Sequence, residues 1–446
     1  MLKAGFARGN INPMMGADIS GYYKERKADG ILDNLEVNAL ALECGEEKVV
    51  LVCLDNCGIK QDLICDFHDA IVKLTGMKKD NIYIAETHTH TGPSARKSSE
   101  DPLEQEYIKF AIRRTADAVK LALDDLKPAK MGWGIGQAPG VAFVRRFRMK
   151  DGSVRTNPGV NNPDILEPIG QVDERVSVLR FDREGAETLL LVNFANHPDV
   201  VGGCKISADW PGLLRHQVEK SLDDTRCIFF NGAQGDVNHV NVHPKGGDFN
   251  GMFRDFDDVS RGYAHSKHIA NVVCGGVLQV YEKVKYIDVE SVTALQKTIQ
   301  VPANLPDPAE LPEAHRINDL HNAGKDSELP YEGMMLTTVV ARAARMVRLE
   351  HGPDHFEMTL SGVRVGPVAL VGIPGEPFNG IGRALKETEE YELVIPTCCT
   401  NGYEGYFPMQ DAYDQGGYEA GSSSFKAGVA ELIISEGKEL LNQIKA

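Results

Sequence analysis

The chain has 446 residues, room for about two or three ordinary domains or one large α/β domain, and is 42% apolar and 25% charged. That is globular usage with a sizeable core, which excludes a disordered chain. Acidic residues outnumber basic ones 64 to 48, for a net charge of −16, and a field of that sign repels phosphate backbones and anionic lipid surfaces. The densest basic cluster, Arg145, Arg146 and Arg148, is too short to offset it. Nucleic acid and stable membrane association are therefore not expected, a small-molecule substrate is, and nothing in the sequence sets an oligomeric state.

The first residues reach a polar turn, Asn10-Ile11-Asn12-Pro13, before any apolar run of useful length, so no signal peptide is expected. No stretch approaches the roughly 18 uninterrupted apolar residues of a membrane span. The nine cysteines are an odd number scattered along the chain, with only Cys398 and Cys399 adjacent. This usage fits reduced thiols rather than a disulfide framework and points to the cytoplasm.

In chain order, the pattern predicts strands at 38–44 and 48–54, then a helix over 62–74 with Leu63, Ile64, Phe67, Ile71 and Val72 in one stripe. A strand at 81–86 precedes a helix over 104–126, striped by Tyr107, Ile108, Ala111, Val119 and Leu123. Strands follow at 175–181, 188–194 and 226–230, with helices at 209–221 and 265–284. Residues 301–331 hold five prolines and many charges and read as a surface excursion or lid. A helix at 336–349, strands at 367–373 and 392–395, and a helix at 426–444 complete the chain. Most strands are continuous Val-, Ile- and Leu-rich runs, as in strands buried on both faces by helices. The expectation is an α/β fold: one multilayer domain spanning 1–446, its sheets covered by helices.

Chemistry-bearing residues fall where these strands end. The run 81–86 leads into Thr87-His88-Thr89-His90, the run 188–194 into Asn196-His197, 367–373 into Glu376, and 392–395 toward Tyr403 and Tyr406. In open α/β sheets that edge binds ligands. If the strand continues through His88 and His90, their imidazoles share a face. One would then bind a metal while the other acts as acid, base or donor; the alternative is that both cap the strand through backbone hydrogen bonds. Two imidazoles and a carboxylate suit zinc, and a catalytic zinc keeps one position open for water.

Several motifs in one order make the sequence resemble the catalytic region of the neutral/alkaline (non-lysosomal) ceramidases. They are THTHTGP (87–93), NFANHP (193–198), ISADWPG (206–212), NGAQGDVN (231–238), PGEPFNGIGRALKE (374–387), GYEGYFP (402–408) and YEAGSSSF (418–425). The resemblance implies a single zinc held by His88, His197, Glu376 and Tyr406. It implies that His90, Tyr418 and Arg146, with Arg145 the competing choice, surround the scissile bond. Asn238 and Asp236 of the glycine loop become the expected substrate-binding side chains. That loop could also offer backbone N–H groups to an oxyanion, or serve as a strand-to-helix turn.

Two departures redirect the substrate. Asn238 stands where the family has a serine, and the chain carries no match to the family's C-terminal immunoglobulin-like domain. The expected activity is zinc-dependent hydrolysis of an amide in a small soluble N-acyl compound by a metal-activated water. The alternatives are an ester, lactone or carbohydrate linkage, or a metal-binding protein without turnover. His239 and His243 are read as surface or pocket histidines, and Cys398 and Cys399 as buried inert thiols.

Overall fold

A computed structural model describes residues 1–246, 248, 253–254 and 260–445. Its principal strands are β1 (Leu2–Asn10), β2 (Glu36–Cys44), β3 (Glu47–Leu54), β4 (Ile82–Glu86), β5 (Lys127–Gln137), β6 (Arg175–Arg183), β7 (Thr188–Phe194), β8 (Thr225–Asn231), β9 (Lys285–Ile287), β10 (Val292–Pro302), β11 (His355–Val365), β12 (Val368–Gly372) and β13 (Leu393–Thr397). The principal helices are α1 (Gln61–Thr75), α2 (Pro102–Asp124), α3 (Asp209–Ser221), α4 (Tyr263–Val280), α5 (Leu311–Asn322), α6 (Gly333–Leu349), α7 (Asn379–Lys386) and α8 (Val429–Lys445).

One sheet has the order β8-β7-β6-β5-β1-β2-β3-β4, with β9 added on β5; a second has the order β10-β11-β12-β13. The pairs β3–β4, β7–β8 and β12–β13 are parallel. A parallel pair needs a crossover, and α1, α3 and α7 lie in those three connections.

The layers run helix, sheet, sheet, helix. Along β3 the period of two sends Val50, Val52 and Leu54 toward α1 and α2, and Val49, Leu51 and Cys53 toward the second sheet. Helices α3 and α4 extend the first outer layer through Trp210, Leu214, Ile269 and Val273. Helices α7 and α8 cover the second sheet through Ile381, Leu385, Ile433 and Leu440. The strand runs are therefore apolar on both sides for two reasons: helices cover the outer faces, and the sheets cover each other's inner faces. Residues 301–331 begin at the end of β10 and contain α5, whose Ala314 and Ile317 pack on Val340 and Met346 of α6.

Strand β5 is interrupted by Gly132, Gly134 and Gly136. Gly136 lies against the backbone of Gly276 in α4, so close that any Cβ would collide with a carbonyl oxygen. The ends of the two sheets are laced together beside the site. Cys398 N donates to Asn231 O at 3.0 Å, and Glu86 N donates to Cys399 O at 3.1 Å. All nine cysteines are free thiols. Among the described residues no helix is long and apolar enough to cross a membrane.

Candidate metal centre and active site

Strand β4 stops at Glu86, and His88 adopts a left-handed backbone with φ 71°. Its N–H donates to Asn56 O at 2.9 Å, and His90 N–H donates to Pro198 O at 3.0 Å. The two imidazoles thus converge through a turn rather than through continued strand geometry, with His88 and His90 Nε2 3.3 Å apart. Strain of this kind persists only where the surroundings over-determine it. Here Thr87 Oγ1 donates to Asp55 Oδ1 at 3.2 Å, and Asp55 is clamped by Arg215 of α3 at 2.9 and 2.5 Å.

His88 Nδ1 faces the carbonyl oxygen of Cys57, and His197 Nδ1 faces that of Gln234 at 3.2 Å. With Nδ1–H donated to those carbonyls, each Nε2 presents a lone pair inward. Both Nε2 atoms lie 3.3 Å from Glu376 Oε2. The donor atoms of His88, His197 and Glu376 fall within 4.8 Å of one another, all buried. Among the described residues His197 Nε2 has no hydrogen-bond partner, although it is buried. A second such group, Cys57, His88 and His90, shares His88.

The electrostatics ask for one positive charge. Burial opposes a charged His88, but Glu376 and Cys57, through their charges and hydrogen bonds together, hold the imidazole well above its ordinary pKa. Burial would likewise raise the Glu376 carboxyl, but His88, His197 and the Tyr403 hydrogen bond together hold the group low. His197, buried and facing Arg145, is pushed down to about 3. His90 is held well below its usual range by burial and by the other two imidazoles. A divalent cation on the free Nε2 lone pairs and the carboxylate would answer this demand, and imidazole nitrogen with carboxylate oxygen suits zinc.

Tyrosines complete the walls. Glu376 and Tyr406 are register partners in a two-residue parallel bridge. Tyr403 Oη donates to Glu376 Oε1 at 2.6 Å, and its ring stacks on His88 with centroids 5.7 Å apart. The Tyr418 ring meets Tyr406 edge-on at 5.5 Å. Burial, then the Glu376 charge, pushes the Tyr406 phenol well above its usual pKa; burial does the same to Tyr418. His88, His90, Glu376, Tyr403, Tyr406 and Tyr418 line one cavity of about 200 Å³ with Ser20, Gly21, Tyr22, Tyr23, Cys57 and Gly58.

Of the two candidate arginines, Arg145 sits 5.3 Å from the Tyr406 ring centroid and is held by Glu419 Oε1 at 2.7 Å and Gly235 O at 2.6 Å. Arg146 turns away, to Gln415 Oε1 at 2.9 Å and the Phe378 ring. The glycine-loop side chains are engaged with the scaffold. Asn238 Nδ2 donates to Asn157 Oδ1 at 3.2 Å, and Asp236 Oδ1 accepts from Asn379 N at 2.6 Å. Burial pushes the Asp236 carboxyl up to about 6. His239 is buried against Asp199 Oδ1 at 3.1 Å, whereas His243 is exposed. Cys398 and Cys399 are fully buried.

Several contributors left little trace in the sequence. Gly21 and Tyr22 fold over His90: the Tyr22 ring is 5.5 Å from it, and Arg26 Nη2 donates to His90 O at 2.7 Å. The string GYY at 21–23 carries no metal-ligand spacing, so nothing in the sequence marked this loop. The Cys57 carbonyl that faces His88 Nδ1 is a backbone group, which no side-chain motif can announce. Gln234 and Tyr403 were within recognised motifs, but as unassigned members.

No protein-family model matches the chain, and no curated protein does. Among solved structures, the chain is similar to the neutral ceramidase from Pseudomonas aeruginosa, with a TM-score of 0.73 at 18% identity over 98% of this chain and 74% of that one. It is similar also to a ceramidase complexed with C2, with a TM-score of 0.72 at 17% identity over 99% of this chain and 76% of the other. The chain therefore has the fold of the neutral ceramidase structures.

Proposed function

We propose that the protein is a zinc-dependent hydrolase cleaving the amide bond of a small N-acyl compound. The observation that carries this reading is the convergence of two inward Nε2 atoms on one buried carboxylate oxygen, one of those nitrogens lacking any other partner among the described residues. The shared fold agrees with it. A zinc ion held by His88, His197 and Glu376, with Tyr406 beside them, would supply Lewis acidity toward a carbonyl and lower the pKa of a water toward about 7.

The chain's own groups then have distinct tasks. His90 Nε2, beside the ligand His88, takes the proton released by the attacking water and delivers it to the departing nitrogen. Tyr418, with Tyr406 under the Arg145 guanidinium, donates toward the carbonyl oxygen as negative charge develops there. Arg145 takes the role first assigned to Arg146. Asn238 and Asp236 act by holding the glycine loop, and so the Gln234 carbonyl, in place.

Metal analysis paired with kinetics tests the proposal. Wild type should carry about one equivalent of zinc, and His197→Ala and Glu376→Ala should lose both metal and activity. His90→Ala should keep zinc and lose about 10²–10⁴ in kcat, and Tyr418→Phe about 10²–10³. Wild type holding under about half an equivalent, or His90→Ala within about threefold of it, would overturn the reading. Amides assayed beside esters, lactones and glycosides identify the bond.

A further inference from the structure

We propose that the substrate carries an anionic group, received in a second compartment behind Tyr418; this deepens the amide-hydrolase reading and rests on it. The compartment has a volume of about 420 Å³ and shares Tyr23, Tyr403, Tyr406 and Tyr418 with the metal cavity. The two cavities therefore adjoin at these four tyrosines. A substrate whose scissile bond lies at His90 and Glu376 extends past Tyr418 into this space.

The chemistry of the compartment is unlike that of the chain around it. Leu349, Phe356 and Phe425 give it an apolar side, and its cations are Lys60, just before α1, and Arg348, at the end of α6. In a protein of net charge −16, a lining in which cations outnumber carboxyl groups departs from the acidic balance of the chain. Arg348 Nη2 donates to Ser424 Oγ at 2.8 Å, a neutral partner. The lining holds one carboxyl group, Glu404, against the two cations. The nearby Asp62 is turned onto its own helix, accepting from Leu63 N at 2.8 Å. An apolar side beside two cations fits an acyl chain or apolar stem joined to a carboxylate or phosphate.

Three amides with one acyl chain decide it: N-hexanoylglycine, N-hexanoyl-O-phosphoethanolamine and neutral N-hexanoylethanolamine, assayed with zinc-reconstituted full-length protein. We expect kcat/KM to favour one of the anionic amides over the neutral one; which of the two leads identifies carboxylate or phosphate. In Lys60→Gln and Arg348→Gln that preference should fall by about ten- to a hundredfold, the range for a lost charge-assisted hydrogen bond, mostly through KM. Wild type preferring the neutral amide, or a preference untouched in both variants, overturns the proposal. Should none of the three be cleaved, the amide reading fails on its own. Dissociation constants from calorimetry on the same proteins then decide the anion: weaker anion binding in the variants supports it, and equal affinity for charged and neutral compounds refutes it.

Discussion

A Cβ on Gly21 would stand 2.7 Å from Cγ of His90, and the residue has φ 105°, where side chains are strained. The imidazole therefore has its position partly because residue 21 has none of its own atoms there. Gly21→Ala should displace His90 while leaving the zinc ligands in place, lowering kcat by about a hundredfold, as an ångström-scale misplacement does. Steady-state kinetics with metal analysis check this. His68 shows the opposite dependence, on protonation. Buried, with Nε2 3.1 Å from Asn401 Oδ1, it is pushed by burial from 6.5 down to about 4, the Asn401 bond partly restoring it. A group whose folded pKa is depressed contributes stability that is complete above about 6.5 and is lost as pH falls through about 4. The loss amounts to at most about 3 kcal/mol. Urea unfolding across that range should show a flatter profile for His68→Gln than for wild type; parallel profiles would refute the assignment.

At the scale of elements, α3 reaches across the first sheet to brace the histidine turn. Arg215 bonds Asp55 at 2.9 and 2.5 Å and Glu36 at 3.2 Å, all three side chains being buried. Arg215→Met would take away the cation that pairs with buried Asp55 and should destabilise the protein by about 3–5 kcal/mol in chemical denaturation. Elements of this kind were legible to unequal degrees. Continuous runs such as β3 and β7 announce themselves, and the stripe of α1 fixes its limits to within a residue. Strand β5 was hidden because Gly132, Gly134 and Gly136, needed for the approach of α4, erase its apolar pattern. Strands β1, β10 and β11 mix Lys, Arg, Gln and Glu among their apolar positions, so no uninterrupted run marks them. Three of the proposed metal ligands, His88, His197 and Glu376, were readable because each lies a few residues beyond a strand. The left-handed turn at His88, the Cys57 carbonyl and the Gly21 loop were not, because they depend on contacts between segments distant in sequence.

Across the whole molecule, His88 and His197 come from the ends of β4 and β7 in the first sheet, while Glu376 follows β12 in the second. A metal ion bound to all three is a cross-link between the sheets. Removing it with a chelator should lower the unfolding free energy by about 4 kcal/mol relative to protein in zinc at a thousand times its Kd. Differential scanning calorimetry with and without chelator measures the shift, and His197→Ala should show none. The two sheets should also part more readily in the metal-free protein, visible as faster amide exchange in β12 and β13.

The same placement orders events during synthesis. His88 and His197 leave the ribosome well before Glu376, which is followed by β13 and α8, the elements that finish the second sheet and its cover. A nascent chain can offer two imidazoles but not the carboxylate between them. High-affinity metal capture must therefore wait until the carboxyl-terminal third has been made and docked. On the proposed zinc assignment, loading would mark molecules whose second sheet has docked, and a product truncated before Glu376 would stay empty.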